Sequence, residues 1–151
     1  MAQNNSDRPL INLFIHVGKL LRERVTNALQ ENGIHLGQSR VLIALLRYGK
    51  LTQGAIANGL NIKPATVTNQ VKKLEAAGLI NRMQDTADDR IMNVTLTQKG
   101  REAANFAASV KSRIENEICS GLTQKEIDTL RKHLEKIRSI LGGTDPGFPG
   151  I

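Results

Sequence analysis

Between Lys63 and Lys73 the chain carries a run of small, short polar and basic side chains whose spacing suits recognition of a polyanion better than catalysis. Arranged as a helix, Val67, Val71 and Leu74 share one face, which anchors the segment to a core. The opposite face presents Ala65, Asn69 and Lys72, flanked by Thr66, Thr68 and Lys73. An asparagine amide can read adenine in a major groove, and hydroxyl and ammonium groups reach phosphates and base edges. Lys63-Pro64 opens this helix, with Pro64 in the first turn where its missing N–H costs nothing. The free N–H groups of that turn suit a phosphate.

A second constellation follows in Asp85-Thr86-Ala87-Asp88-Asp89-Arg90. A guanidinium on an extended loop suits a narrow minor groove, where negative potential is focused. Asp88, two residues before Arg90, is expected to hold that side chain by a bidentate pair. Without such a role the three acids read as a solvated turn, since they lack the glycine and distal glutamate of a calcium loop.

The elements that must position these groups follow from periodicity. Leu10, Leu13, Phe14, Val17, Leu20, Leu21, Val25 and Leu29 have the three-four spacing of an amphipathic helix that ends near Asn32-Gly33. A second helix is expected from Gln38 to Tyr48, closed by Gly49. Thr52 is the N-cap of a short helix carrying Ile56, Ala57 and Leu60, and Asn61 sits in a tight turn before Lys63-Pro64. Ala57, Asn61 and Val67 fall where a helix-turn-helix needs a small residue, a turn residue tolerant of positive φ, and an apolar anchor. After Gly78 the period becomes extended: Leu79 to Met83 and Ile91 to Leu96 read as two strands around the polar loop Gln84 to Arg90. Thr97 caps a long helix through Ala103, Phe106, Val110, Ile114 and Ile118. Thr123 and Glu126 form a capping box for a last helix carrying Ile127, Leu130, Leu134, Ile137 and Leu141.

The fold class is therefore mainly α with a small β-hairpin wing. Residues 1–7 read as a disordered leader, 36–97 as the winged helix-turn-helix, and 142–151 as a flexible tail rich in Gly and Pro. The 151 residues carry a formal net charge of +7, which favours a polyanionic partner. Aromatic residues are 3% with no Trp, which argues against a stacking platform for single strands. No apolar run approaches the roughly 20 residues that span a bilayer, so no membrane partner is expected. A polar N-terminus and a single cysteine point to the cytoplasm. Cys119 is expected to pack rather than react, and His16, His35 and His133 have no metal-ligand spacing with it. No catalytic residue, metal site or cofactor is indicated.

The order of helices, Leu51-Thr52, Leu74-Glu75-Ala76-Ala77-Gly78-Leu79-Ile80, Asp88-Asp89-Arg90, Val94, Leu96-Thr97 and Gly100 resembles the MarR family of transcriptional regulators, from about Leu10 to Leu141. The resemblance implies a homodimer joined by interlocking helices at 8–35 and 98–141, with double-stranded DNA as partner. It also implies a repressor acting on a pseudo-palindromic operator and released by a small aromatic or phenolic effector or an oxidant. Carried over by position, Thr66, Thr68, Asn69, Lys72 and Lys73 become groove or backbone contacts, and Arg90 the wing arginine steadied by Asp88. In similar proteins the effector pocket lies between the dimerisation helices and the reading head. That makes His35 and Arg40 candidate ligand contacts, Arg40 through an anionic group, against the alternative of an internal ion pair. Two departures stand out: Asp89 replaces a common Arg or Lys, and Gly54-Ala55 leaves Thr52 without a capping-box partner. The alternatives are a winged-helix protein-interaction module and a nonspecific architectural DNA-binding protein.

Overall fold

The computed structural model describes residues 9–144, 147–148 and 151; the expected leader at 1–7 lies outside the described residues. Six helices and three short strands follow in the order α1 (Leu10–Gln30), α2 (Leu36–Tyr48), β1 (Leu51–Thr52), α3 (Gln53–Leu60), α4 (Pro64–Ala76), β2 (Ile80–Gln84), β3 (Met92–Leu96), α5 (Gln98–Ser120) and α6 (Gln124–Ile140).

Helix α2 is the hub, packed between α5 on one side and α4 on the other. Val41, Leu42, Ile43, Ala44 and Leu45 are all buried, so this helix is enclosed on most of its circumference. It starts two residues earlier than the apolar pattern predicts. The reason is local: the Gln38 side chain accepts from His35 N–H at 3.1 Å, and the Ser39 hydroxyl donates to Leu36 O at 2.7 Å. These bonds fix the first turn before its apolar run begins.

The hairpin forms with Ile80 opposite Leu96 and Gln84 opposite Met92. A third strand that the periodicity does not announce completes the sheet in the order β1-β3-β2: Leu51 pairs with Val94 and Thr52 with Asn93. Two residues are too few to show alternation. Thr52 is then used twice, as the end of β1 and as the N-cap of α3, where its Oγ1 accepts from Ala55 N–H at 3.0 Å. The cap therefore forms although Gly54-Ala55 supplies no reciprocal partner.

Thr97 performs the same double duty before α5: its hydroxyl donates to Gly78 O at 2.8 Å and accepts from Gly100 N–H at 2.9 Å. A Cβ on Gly100 would overlap the Leu79 carbonyl, so α5 can lie against the start of the wing only with glycine here. The Thr123–Glu126 capping box opens α6 as expected. Its hydrogen bonds, from Thr123 N–H first, hold the Glu126 carboxyl below its ordinary range.

The core is aliphatic. Leu29, Leu42, Leu45, Ile56, Leu60, Leu74 and Ile80 are fully buried together with Val41, Val67, Val71, Val94 and Val110. Outside it, α1 buries only Leu29 and α6 buries nothing. Leu13 and Leu20 on α1 and Leu130 and Leu134 on α6 are 45–58% exposed in the single chain. Arg24 joins α1 to α5 through both carboxylate oxygens of Glu117, at 2.7 and 2.9 Å.

The segment 142–151, expected to be a loose tail, differs in its described part. Phe148 stacks on Tyr48 with ring centroids 4.4 Å apart, its N–H donates to Gly59 O at 2.9 Å, and both Phe148 and Ile151 pack against the core. Composition registered the glycines and prolines there but not the two apolar anchors among them.

Candidate nucleic-acid interface

The turn between α3 and α4 is built from the residues the sequence singled out. Asn61 adopts φ 51°, ψ 51°, the left-handed conformation an asparagine tolerates, and is the only such non-glycine among the described residues. Ala57 is buried at the α3–α4 contact, and Ile62 N–H donates back to Ala57 O at 3.0 Å. Lys63 is the N-cap of α4 and Pro64 its first residue. Thr66 N–H and Val67 N–H both reach Lys63 O.

Within α4 the division of labour is sharp. Val67, Val71 and Leu74 are fully buried. Lys63, Ala65, Thr66, Asn69, Lys72 and Lys73 are exposed, and Thr68 is half-buried. The Thr68 hydroxyl lies 3.1 Å from Pro64 O and 3.2 Å from the Gln53 side-chain oxygen, and it donates to one or the other. It therefore helps to fix α4 to α3. Gln53, which sequence reasoning passed over, is placed here by the same bond.

The wing is braced from both ends. Arg82 on β2 donates its Nε–H to Glu75 on α4 at 2.8 Å, so the hairpin is tied to the helix it accompanies. At the loop, Asp85 accepts from Ala87 N–H and from the Asn93 amide, each at 2.9 Å. These bonds, the Ala87 one foremost, keep the Asp85 carboxyl below its ordinary range. Asp85 is thus a turn-forming acid. The contact between Asp88 and Arg90 is not the bidentate pair expected: a single oxygen, Oδ1, takes Arg90 N–H at 3.0 Å and Nε–H at 3.2 Å. The same oxygen closes an Asx turn onto the Arg90 backbone, so the backbone and the guanidinium share it. The Arg90 side chain is 91% exposed. Asp89 contributes its backbone carbonyl, which accepts from the Gln84 amide at 2.6 Å.

The chain compares with known proteins as follows. Residues 34–92 match the model of the MarR family. The chain is 31% identical over 111 residues to the HTH-type transcriptional regulator YdgJ of Bacillus subtilis, covering 70% of this chain and 68% of that one. The chain belongs to the MarR family. This MarR-family chain is also 29% identical to the HTH-type transcriptional repressor Rv2887 of Mycobacterium tuberculosis, over 88% of its own length and 96% of that protein. Its fold matches MepR of S. aureus, solved as a DNA complex, with a TM-score of 0.81 and 28% identity over 89% of this chain and 99% of that one. It is accordingly a winged-helix transcriptional regulator. Among the described residues no helix is long and apolar enough to cross a membrane.

Of the two ligand candidates, His35 is exposed and immediately precedes α2, and Arg40 lies near its start. Arg40 donates Nη2–H to Leu60 O at 2.8 Å, closing the end of α3. A carbonyl at a helix end thus takes this donor, where an acidic side chain was the alternative expectation. A cavity of about 560 Å³ lies between α1, α5 and α6, with Val25, Ile114, Ile118 and Leu130 as apolar wall and Cys119 beside them. The sequence signal for it was the apolar stripe of α6, read only as a packing face.

Proposed function

We propose that this MarR-family regulator binds a pseudo-palindromic operator as a homodimer, represses from it, and is released by a small aromatic or phenolic effector. The observation that carries the reading is the exposed face of α4. Asn69, Lys72 and Thr66 stand clear of a helix whose other face is locked by three fully buried side chains. Asn69 is proposed to read a base, and Lys63, Lys72 and Lys73 to meet phosphates. Arg90 is proposed to enter the adjacent minor groove, with Asp88 limiting its sweep.

Dimerisation is supported by the unfinished apolar faces of α1 and α6. Contiguous exposed apolar residues on two long helices are the mark of a surface that another chain covers. Effector release is supported by the cavity between α1, α5 and α6, whose size suits a small aromatic molecule. A ligand that prefers one arrangement of these helices lowers DNA affinity by linkage, typically by about 1–3 kcal/mol.

The test is competition between a duplex enriched from a random pool and unenriched duplex, measured at physiological salt. A regulator discriminates by about a thousandfold or more. A ratio near one supports nonspecific architectural binding instead, and no binding to either supports a protein-interaction module.

A further inference from the structure

We propose that the C-terminal tail is an intramolecular brace, in which Phe148 plugs a notch formed by Gly59 and Tyr48 and couples α6 to the reading head. The inference rests on the operator-binding reading given above.

The end of α3 shows why the tail matters. A helix leaves its last four carbonyls without intrahelical partners. In α3, Ala57 O accepts from Ile62 N–H at 3.0 Å and Asn58 O from Asn61 N–H at 3.2 Å. Leu60 O accepts from Arg40 at 2.8 Å. The remaining one, Gly59 O, accepts from Phe148 N–H at 2.9 Å. The tail therefore completes the capping of the first helix of the helix-turn-helix.

Shape agrees with hydrogen bonding. A Cβ on Gly59 would overlap the Phe148 ring, and one on Gly147 would come within 3.3 Å of Gly59 Cα. Two glycines thus let the tail backbone lie against α3 closely enough for the bond to form. The Phe148 ring then stacks on Tyr48 at 4.4 Å with an interplanar angle of 23°, which links the last residue of α2 to the same contact. Ile151 adds a second apolar anchor.

Position makes this a brace and not a lid. On α3, Gly59 lies about a third of a turn from Gln53, the residue that faces Thr68 of α4. The docked ring therefore meets a different side of α3 from the one that faces Thr68, and Thr66, Asn69 and Lys72 on α4 stay exposed. Phe148 lies eight residues beyond Ile140, the last residue of α6, and α6 carries part of the apolar face proposed for the partner subunit. Docking therefore limits how far the end of α6 can lie from the α3–α4 corner, and the proposal is that operator affinity depends on this tether.

The sequence provides its own probe. Tyr48 is the one tyrosine and there is no Trp, so Tyr48 ring resonances report the stack directly. Full-length parent, Phe148→Ala, Gly59→Ala and Phe148→Tyr are compared by Tyr48 ring shifts, by melting temperature, and by affinity for a duplex enriched with the parent from a random pool. Gly59→Ala separates the brace from a bystander tail. A helical glycine is less stable than alanine, so an undocked tail predicts a higher melting temperature. The brace predicts loss of the Tyr48 shift and no such gain. Phe148→Ala and Gly59→Ala are expected to lose the ring shift and to bind about fivefold or more weakly, with Phe148→Tyr close to the parent. A Tyr48 shift unchanged in Phe148→Ala overturns docking. A lost shift with unchanged affinity overturns the coupling. If the parent enriches no duplex, the operator reading fails and takes the coupling with it, while the ring shifts still decide docking.

Discussion

Arg82 and Glu75 join the wing to the recognition helix through a hydrogen bond of 2.8 Å, from Nε–H to Oε2, reinforced by a second nitrogen of the same guanidinium. The two elements proposed to meet DNA are thereby oriented relative to each other before any contact is made. The pair lies between strand β2 and the last turn of α4, where a wing could otherwise pivot about Gly78.

That pair has a pH signature. The Arg82 hydrogen bond, the largest influence, lowers the Glu75 carboxyl below its ordinary value of 4.5. A depressed carboxylate contributes stability above its unfolded pKa and loses it as pH falls through the folded one. Glu75→Gln should therefore melt below the parent at pH 7, and the gap should close as pH drops below about 4.5. Melting curves from pH 7 to 3 check this, and a gap that persists at pH 3 assigns the effect to something other than the ion pair.

Gly100→Ala should destabilise the chain although alanine favours helix. The added methyl meets the Leu79 backbone carbonyl, which cannot move without shifting the start of the wing. Overpacking of this kind costs about 1–3 kcal/mol, or several degrees of melting temperature. A higher melting temperature would show that α5 relaxes away from the hairpin.

Leu13→Glu combined with Leu20→Glu should turn a dimer into a monomer with its helical content retained. Both side chains are more than half exposed in the single chain, so charge there disrupts an interface and not the core. Sedimentation velocity reads the state directly. A parent that sediments as a monomer, or a variant that stays dimeric, refutes the assignment of this face.

Lys72→Ala should weaken binding about equally on all sequences and reduce the salt slope by about one counterion. Arg90→Ala should weaken binding broadly as well, since its guanidinium is proposed to sense groove potential. Affinity titrations at several salt concentrations separate these from a base-reading residue.

The reading head was legible in the sequence because local rules and tertiary packing agree there. Asn61, Pro64 and the Val67-Val71-Leu74 stripe each satisfy a turn, a first-turn and a core requirement at once. Strand β1 was not legible, since two residues carry no period and pairing with β3 is a long-range event. The Asp88–Arg90 geometry was half legible: the partnership shows in the spacing, but the Asx turn that takes the carboxylate oxygen does not. Arg40 illustrates the same limit. Its charge shows in the sequence, whereas the orphan carbonyl at the end of α3 that accepts from it is visible only in three dimensions.

The central claim is that α4 reads bases through Asn69, and the most direct test is selection of bound duplexes from one random pool by the parent and by Asn69→Ala in parallel. The parent should enrich an inverted repeat with half-sites about one helical turn, ~34 Å, apart. Asn69→Ala should enrich the same repeat with preference lost at one symmetry-related base pair. Identical preferences from the two proteins, or no inverted repeat from the parent, would contradict it.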